Sequence, residues 1–326
     1  MTPLGKALSD RIKSEGPLSV EAYMEACNAY YYATRDPLGA GGDFITAPEI
    51  HQMFGELIGA ALADVWTRAG KPGEAVYTEL GPGRGTLAAD ALRVLRRAGF
   101  EGDVHLVETS PALREAESKL LPEAIFHESL DNLPAVPILL AANEFFDALP
   151  VRQFVDGRER HVIRAAGGFA FDRDGAIVER SPVREEVGRQ LAGLLAANGG
   201  AALIIDYGYA GGEKGDTLQA VRGHKFSYAL DHPGEQDLTA HVDFAALAGA
   251  AKQAGAAVSR VVSQGSWLET LGIGARAMAL AAKNPQDTES IAEARRRLCD
   301  EEEMGRLFKV MALRSPDWPE VAGFGS

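Results

Sequence analysis

Cysteine is scarce in this chain, which has only Cys27 and Cys299 among 326 residues. The two lie far apart and outside any C-x-x-C spacing, so neither a disulfide framework nor a structural zinc site is indicated. Basic side chains are also in deficit, with 33 Lys and Arg against 46 Asp and Glu and a net charge of −13. A negative field of this size opposes phosphate contacts, so we expect no nucleic-acid substrate. The sequence also shows no metal-ligand spacing, so we expect no metal site.

Long apolar runs are missing as well. No stretch of about 18 apolar residues is present, so we expect no membrane insertion. The first residues, Met1–Lys6, show neither a charged-then-apolar signal peptide nor an Arg-rich and Ser-rich transit peptide. These features predict a cytoplasmic, bacterial chain of ordinary globular composition, long enough to be an enzyme. They do not indicate an oligomeric state.

The most informative motif that is present is the segment 79–86, ELGPGRGT, which lies between an apolar run and a helix-like stretch. A strand, a glycine turn and a helix form a cradle for a nucleotide cofactor, because glycines allow close backbone approach and the helix start presents free N–H groups. We assign Glu79, Gly81, Pro82, Gly83 and Gly85 to cofactor binding.

The identity of the cofactor is read from the spacing of the turn. A dinucleotide fingerprint has its third glycine where this chain has Thr86, and Glu79 would repel a pyrophosphate but attract a cationic sulfonium. The turn therefore favours S-adenosylmethionine over NAD. Glu108 ends the next strand, where an acid reaches ribose hydroxyls of either cofactor, and Ser129 and Leu130 follow the third strand at the expected border of an adenine.

Two kinds of pattern divide the chain. Residues 1–70 contain no convincing strand and predict a helical cap or lid region, with a long helix over Ala47–Ala69 that begins in a capping box of Thr46 and Glu49. Residues 71–326 alternate short apolar strands with helices, which predicts a doubly wound parallel sheet.

The predicted sheet has seven strands, mostly parallel. Five are placed at 76–80, 104–108, 125–127, 138–142 and 202–206, and two more at 257–262 and 307–313. A β-meander is inserted at about 151–173, where DG and GG turn pairs separate apolar runs, and a helical insertion occupies about 265–303. The segment 207–239 is predicted to be a long loop without regular structure.

Polar side chains follow the fourth strand in the segment Asn143–Pro150. Ligands of open α/β sheets lie beyond the carboxyl ends of the strands, so these groups face the reactive end of the cofactor. Methyl transfer needs alignment and removal of a proton, and a carboxylate beside an amide suits both tasks. We propose Glu144, Asn143 and Asp147 as catalytic residues, with the two acids forming a fork for a guanidinium. Asn143 is also assigned to cofactor binding. Alternatively, Asp147 caps a turn and Glu144 only supports the site.

Other candidates lie near the predicted active site. The segment Gly39–Phe44, with Asp43, is glycine-rich and is expected to act as a lid over the site or simply to lead into the following helix. Thr46 and Glu49 are grouped with this lid and substrate region. His241 stands beside a helix start and is grouped with the same region, although a lone histidine at such a position is more often structural than functional.

Five segments together resemble the MidA family of methyltransferases, which includes the mitochondrial complex I assembly methyltransferase. The segments are 32–39, 42–50, 79–86, 143–150 and 239–244. The resemblance implies a class I S-adenosylmethionine-dependent methyltransferase fold. For the mitochondrial branch it also implies symmetric dimethylation of an arginine on a protein subunit of complex I.

Three other functions compete with protein arginine methylation. An assembly chaperone would bind S-adenosylmethionine without needing catalysis, and a small-molecule methyltransferase would keep a closed pocket. An NAD-dependent oxidoreductase would bind NAD(H) at the glycine turn. Sequence alone leaves the acceptor, the number of methyl groups and the movement of the lid open.

Overall fold

The computed structural model describes residues 2–34, 46–212 and 215–325. Helices and strands alternate through most of this part of the chain. The helices are α1 Pro3–Glu15, α2 Val20–Thr34, α3 Ala47–Ile50, α4 Met53–Arg68, α5 Thr86–Arg97, α6 Pro111–Leu120, α7 Pro182–Asn198, α8 Phe244–Gln253, α9 Gln264–Thr270, α10 Ile273–Lys283, α11 Thr288–Cys299 and α12 Met304–Leu307.

The strands are mostly short. They are β1 Leu18–Ser19, β2 Val76–Leu80, β3 Val104–Val107, β4 Ile125–His127, β5 Ile138–Asn143, β6 Arg152–Val155, β7 Arg158–Glu159, β8 His161–Ala165, β9 Gly168–Phe171, β10 Ile177–Arg180, β11 Gly200–Tyr209, β12 Gln219–Arg222, β13 Lys225–Ser227, β14 Asp237–Thr239, β15 Val242–Asp243, β16 Ala257–Val258, β17 Val262–Ser263 and β18 Phe308–Arg314.

The central sheet confirms the predicted α/β class. Its order is β16-β18-β11-β5-β2-β3-β4, and β2, β3, β4, β5 and β11 run parallel while β18 is antiparallel to β11. In the described residues this sheet has nine strands rather than the predicted seven. The predicted strand at 257–262 is two short strands, β16 and β17. The short strand β15 pairs in parallel with the carboxyl end of β11.

Apolar layers cover both faces of this sheet. One layer contains α4 and α5, and α4 approaches α5 so closely that a Cβ on Gly59 would lie 2.5 Å from the carbonyl oxygen of Ala91. The other layer packs α7 and α8 on the opposite face. The helices α4 and α5, on either side of the predicted domain boundary between residues 70 and 71, pack in the same apolar core. The division into two domains stays a prediction.

A third apolar cluster joins α1 and α2 to small antiparallel sheets. The prediction that residues 1–70 lack a strand is wrong in one detail, because β1 pairs with β8. The insertion at 151–173 is not one meander. It divides between the sheets β1-β8-β9 and β10-β6-β7, because β8 pairs with β1 and the side chains of Val162 and Phe169 join the apolar cluster of α1 and α2.

The predicted helix over 47–69 is interrupted at His51, whose backbone is extended at φ −168° and ψ 144°. The ring Nδ1 of His51 accepts a hydrogen bond from the backbone N–H of Met53, which starts α4 afresh. The capping box is also wrong. The side chain of Thr46 caps nothing, and the carboxylate of Glu49 instead accepts a hydrogen bond from the hydroxyl of Thr86 at 2.7 Å.

The segment 207–239 is not a structureless loop. It contains the end of β11 and the three-stranded sheet β13-β12-β14. The strands are three or four residues long, too short for alternating hydrophobicity to stand out from turn residues. This small sheet contributes to the site described next.

Candidate cofactor and acceptor site

A cavity of about 990 Å³ lies at the carboxyl ends of β2, β3 and β5, the edge at which parallel sheets bind ligands. Its charge is strongly one-sided. Among the described residues that line it, one is an arginine, Arg84, and nine are acids. The acids are Glu21, Glu25, Glu49, Glu79, Glu108, Glu128, Glu144, Asp147 and Asp237. Such a cavity favours cationic ligands.

The glycine loop forms one wall. Gly81 and Gly83 have φ values of +59° and +61°, a left-handed conformation that a side chain disfavours. A Cβ on Gly81 would also lie 3.0 Å from the ring of Phe145. Gly81, Pro82 and Gly83 line the cavity. Gly85 is not among the residues that line it; this glycine has φ +79° and directly precedes α5, and its contact with the cofactor stays a prediction.

Glu79 lies at the base of this loop and is 2% exposed. Its Oε2 accepts a hydrogen bond from the hydroxyl of Tyr77 at 2.7 Å. Burial, together with the nearby carboxylate of Glu117, raises the pKa of Glu79 to about 8. A cation bound beside Glu79 would offset this cost and favour the ionised carboxylate. The position therefore fits the positively charged end of S-adenosylmethionine.

Glu108 follows β3 and lines the same cavity with Ser129 and Leu130. Its Oε1 accepts a hydrogen bond from the backbone N–H of Ser110 at 2.7 Å, which fixes the carboxylate at the strand end. Burial raises the pKa of Glu108. The three residues lie together as predicted for a ribose and adenine site, and their contacts with a cofactor stay a prediction.

Glu144 lies in the opposite half of the cavity. Its backbone has φ +52°, which is uncommon for a residue other than glycine. Left-handed backbone at such a residue costs about 1–3 kcal/mol and is concentrated at functional sites. The carboxylate Oε1 accepts hydrogen bonds from the backbone N–H of Ala47 at 3.3 Å and from the side-chain amide of Asn143 at 3.1 Å. Burial and the neighbouring Asp147 raise the pKa of Glu144 to about 8.

Asp147 is 3% exposed and shares this half with Glu144. Burial raises the pKa of Asp147, although the hydroxyl of Tyr207 donates to it. The turn that carries Asp147 is fixed from behind. The carboxylate of Asp206 accepts the backbone N–H of Asp147 at 3.1 Å, and the guanidinium of Arg184 donates to the carbonyl oxygen of Asp147 at 2.8 Å.

Two further residues of this half escape sequence reasoning. Asp237, on β14, is 5% exposed, and its Oδ1 accepts a hydrogen bond from the hydroxyl of Tyr32 on α2 at 2.8 Å. Both line the cavity, and Asp237 adds to the negative potential at Glu144. A run of three tyrosines reads as an ordinary helix, and no local signal pairs Tyr32 with an acid so distant in sequence.

Three of the remaining candidate residues line the cavity, and one lies outside the described residues. Thr46 and Glu49 line the cavity. His241 lines it as well, with its ring 5.8 Å from that of Tyr207 in an edge-on arrangement. Asp43 and the predicted lid Gly39–Phe44 lie outside the described residues.

Within residues 2–34, 46–212 and 215–325, no cluster of three or more histidine, cysteine or acidic side chains could hold a metal ion. In the same part of the chain, no helix combines the length and the apolar character needed to cross a membrane.

The sheet order, the left-handed glycine loop and the buried acids at the ends of β2 and β3, Glu79 and Glu108, are the features expected of a methyltransferase that uses S-adenosylmethionine. The chain matches the family model described as "Putative S-adenosyl-L-methionine-dependent methyltransferase" over residues 57–176 and 163–262. It belongs to that family, and the resemblance to the MidA family is confirmed.

Curated relatives and a solved structure agree with this assignment. The chain is 37% identical to "Protein arginine methyltransferase NDUFAF7 homolog, mitochondrial" of Drosophila melanogaster, over 95% of this chain and 84% of that protein. It is 33% identical to the Homo sapiens protein arginine methyltransferase NDUFAF7, over 96% and 83%. A Burkholderia thailandensis protein bound to S-adenosyl-homocysteine superposes with a TM-score of 0.85 at 27% identity, over 98% of this chain and 93% of that chain.

Proposed function

We propose that this methyltransferase transfers the methyl group of S-adenosylmethionine to the guanidinium of an arginine on a protein substrate. The observation that carries the proposal is a group of three acids at one end of the cavity, here named the acid chamber: the partly buried Glu144 and the buried Asp147 and Asp237. Their charges together fit a planar cation that donates several hydrogen bonds.

Glu144 is the residue we propose as the proton acceptor. A guanidinium has a pKa of about 12.5 or more, so a nitrogen that gains a methyl group must lose a proton to a nearby base. The pKa of Glu144, raised to about 8, makes this carboxylate a stronger base than an exposed glutamate. Asn143 donates to its Oε1, which orients the carboxylate. Asp147 holds the acceptor in line.

The other half of the cavity would hold the cofactor. S-adenosylmethionine, when bound, supplies a methyl group on a positively charged sulfur. We assign Glu79 to its cationic end, Gly81, Pro82 and Gly83 to close backbone approach, and Glu108, Ser129 and Leu130 to the ribose and adenine.

The relatives support the arginine acceptor through their printed names. They do not reach the finer predictions: a complex I subunit as the substrate and symmetric dimethylation stay predictions of the family resemblance. Those relatives are mitochondrial by name. Cytoplasmic, bacterial localisation therefore also stays a prediction.

Labelling of a cell extract tests the proposal. Extract from cells that lack this gene is incubated with methyl-labelled S-adenosylmethionine and either the wild-type protein or Glu144→Gln. Protein label that hydrolyses to methylarginine, with wild type only, is the expected result. Label confined to small molecules would favour a metabolite acceptor. Absence of label, in a preparation that binds S-adenosylmethionine, would favour a chaperone.

A further inference from the structure

Apolar side chains are exposed around the mouth of the cavity. Seven large apolar residues are strongly exposed in the described parts of the chain, and three of them line this cavity: Val183, Phe226 and Leu307. Phe226 is 78% exposed. Exposed aromatic side chains beside a binding cavity are typical of surfaces that receive a partner.

Phe226 is connected to the acid chamber by one row of the small sheet. Val221 on β12 pairs with Phe226 on one side and with Asp237 on the other. Side chains of directly paired residues point to the same face of a sheet, and all three line the cavity. The row thus runs from solvent at Phe226 to a buried carboxylate at Asp237, over about 10 Å for two strand spacings.

A second row runs inward along α2. Glu21, Glu25 and Tyr32, with residues between them, line the cavity at helical spacing. Glu25 is exposed at the outer end, and Tyr32 donates to Asp237 at the inner end. An approaching chain would therefore meet exposed negative charge on this wall and an aromatic ring on the other.

We propose that an extended, basic segment of the substrate protein docks between these two walls, with an apolar side chain on Phe226 and a cationic side chain on Glu25. This inference rests on the proposed function, because it takes the arginine into the acid chamber. An extended chain covers about 10 Å in three residues, so the apolar residue lies within three positions of the arginine.

A peptide library with a fixed central arginine tests this assignment. Peptides that bind the immobilised full chain in the presence of S-adenosyl-homocysteine are sequenced. Wild type should enrich apolar residues within three positions of the arginine and Lys or Arg at other flanking positions. Phe226→Ser should lose the apolar preference, and Glu25→Lys should reverse the basic one.

Two exposed positions that do not line the cavity give matched controls. Met278 is 70% exposed on α10, and Glu289 is exposed on α11. Met278→Ser and Glu289→Lys should keep the wild-type preferences. For one selected peptide, Phe226→Ser should weaken binding about tenfold, the loss typical of an interface aromatic.

Binding and methyl transfer are read separately. Flat preferences in wild type, or preferences that survive in Phe226→Ser and Glu25→Lys, would overturn the docking inference even if arginine is methylated. Preferences that behave as expected, without methyl transfer to the selected peptide, would support the docking inference and count against the proposed function.

Discussion

The two halves of the cavity are built in different ways. In the cofactor half, Glu79, Gly81 and Gly83 lie within five consecutive residues of one strand and its turn. In the acceptor half, Tyr32 and Asp237 come from a helix and a small strand at distant places in the chain and meet Glu144 only in the fold. A local motif can therefore reveal the cofactor, whereas the acceptor site depends on tertiary structure.

Both halves contain a glutamate whose pKa is raised to about 8, but the neighbours differ. Burial and the carboxylate of Glu117 raise the pKa of Glu79, which accepts a hydrogen bond from the hydroxyl of Tyr77. Glu144 is affected by burial and by Asp147, and a backbone N–H and an amide donate to it. We propose that the first arrangement holds a charge beside the bound cofactor and that the second accepts a proton from the acceptor.

Glu144→Gln should produce the largest separation between the halves. The variant keeps the shape of the side chain and removes the proton acceptor, so methyl transfer should fall about 10²–10⁴-fold. The affinity for S-adenosylmethionine should stay at the wild-type value. Calorimetry for binding and labelled transfer for turnover measure the two effects, and Glu289→Gln is a surface control. Undiminished turnover would remove Glu144 from the mechanism.

Gly83→Val should instead weaken cofactor binding. The φ of +61° strains a β-branched residue, and the new side chain would project from a loop that lines the cavity. We expect the affinity for S-adenosylmethionine to fall about hundredfold in a calorimetric titration. Gly249→Val is the matched control, since a Cβ at Gly249 meets no atom within 4 Å. Wild-type affinity in Gly83→Val would mean that the cofactor lies elsewhere.

The pH dependence of methyl transfer should report the ionisation of Glu144. Glu144 must be ionised to accept a proton, and its pKa is about 8, so kcat/KM for the acceptor should rise up to about pH 8. Between pH 6 and 7 the rise should be about tenfold for a single base. A profile that is flat from pH 6 to 9 would contradict a proton acceptor with this pKa.

Asp237→Asn and Tyr32→Phe should raise KM for the acceptor by smaller factors, without changing the affinity for the cofactor. Removing the charge of Asp237 weakens the hold on a guanidinium, and we expect KM for an arginine acceptor to rise about tenfold. Removing the hydroxyl of Tyr32 leaves that charge in place and should raise KM only a few fold. The affinity for S-adenosylmethionine should be unchanged in both. Equal losses of cofactor affinity would show that the halves are not separable.

Glu117→Gln should have the smallest effect and concerns stability alone. Glu117 is fully buried and its carboxylate oxygens have no hydrogen-bond partner, and burial raises its pKa to about 8. The folded state binds this proton more tightly than the unfolded chain, so the associated stability is complete below about pH 4 and is lost as the pH rises through 8. The variant should match the wild-type Tm at pH 4 and exceed it by several degrees at pH 9. A constant difference at both pH values would contradict this account.

Local patterns predicted the elements that support the site. The strands β2, β3, β4, β5 and β11 are confirmed within a few residues at their ends, because each is a short apolar run bounded by turns. The structure also brings the predicted residues Glu79, Glu108, Asn143, Glu144 and Asp147 to one cavity. Their position at strand ends made this predictable.

Two of the failures share a physical cause, which is that a side chain found a distant partner. Glu49 was predicted to cap its own helix, but its carboxylate binds the hydroxyl of Thr86. Asp237 was placed in a featureless loop, although its strand pairs with β12 and its carboxylate binds Tyr32. No local spacing encodes such contacts, since they depend on the packing of the whole fold.

The most direct test is a crystal structure of the protein with S-adenosyl-homocysteine and an arginine peptide. We expect the guanidinium in the acid chamber, with one of its nitrogens about 2.6–3.2 Å from the carboxylate of Glu144, and S-adenosyl-homocysteine against Gly81 and Gly83. A guanidinium bound outside the chamber, or S-adenosyl-homocysteine occupying the place of the arginine beside Glu144 and Asp237, would contradict the account.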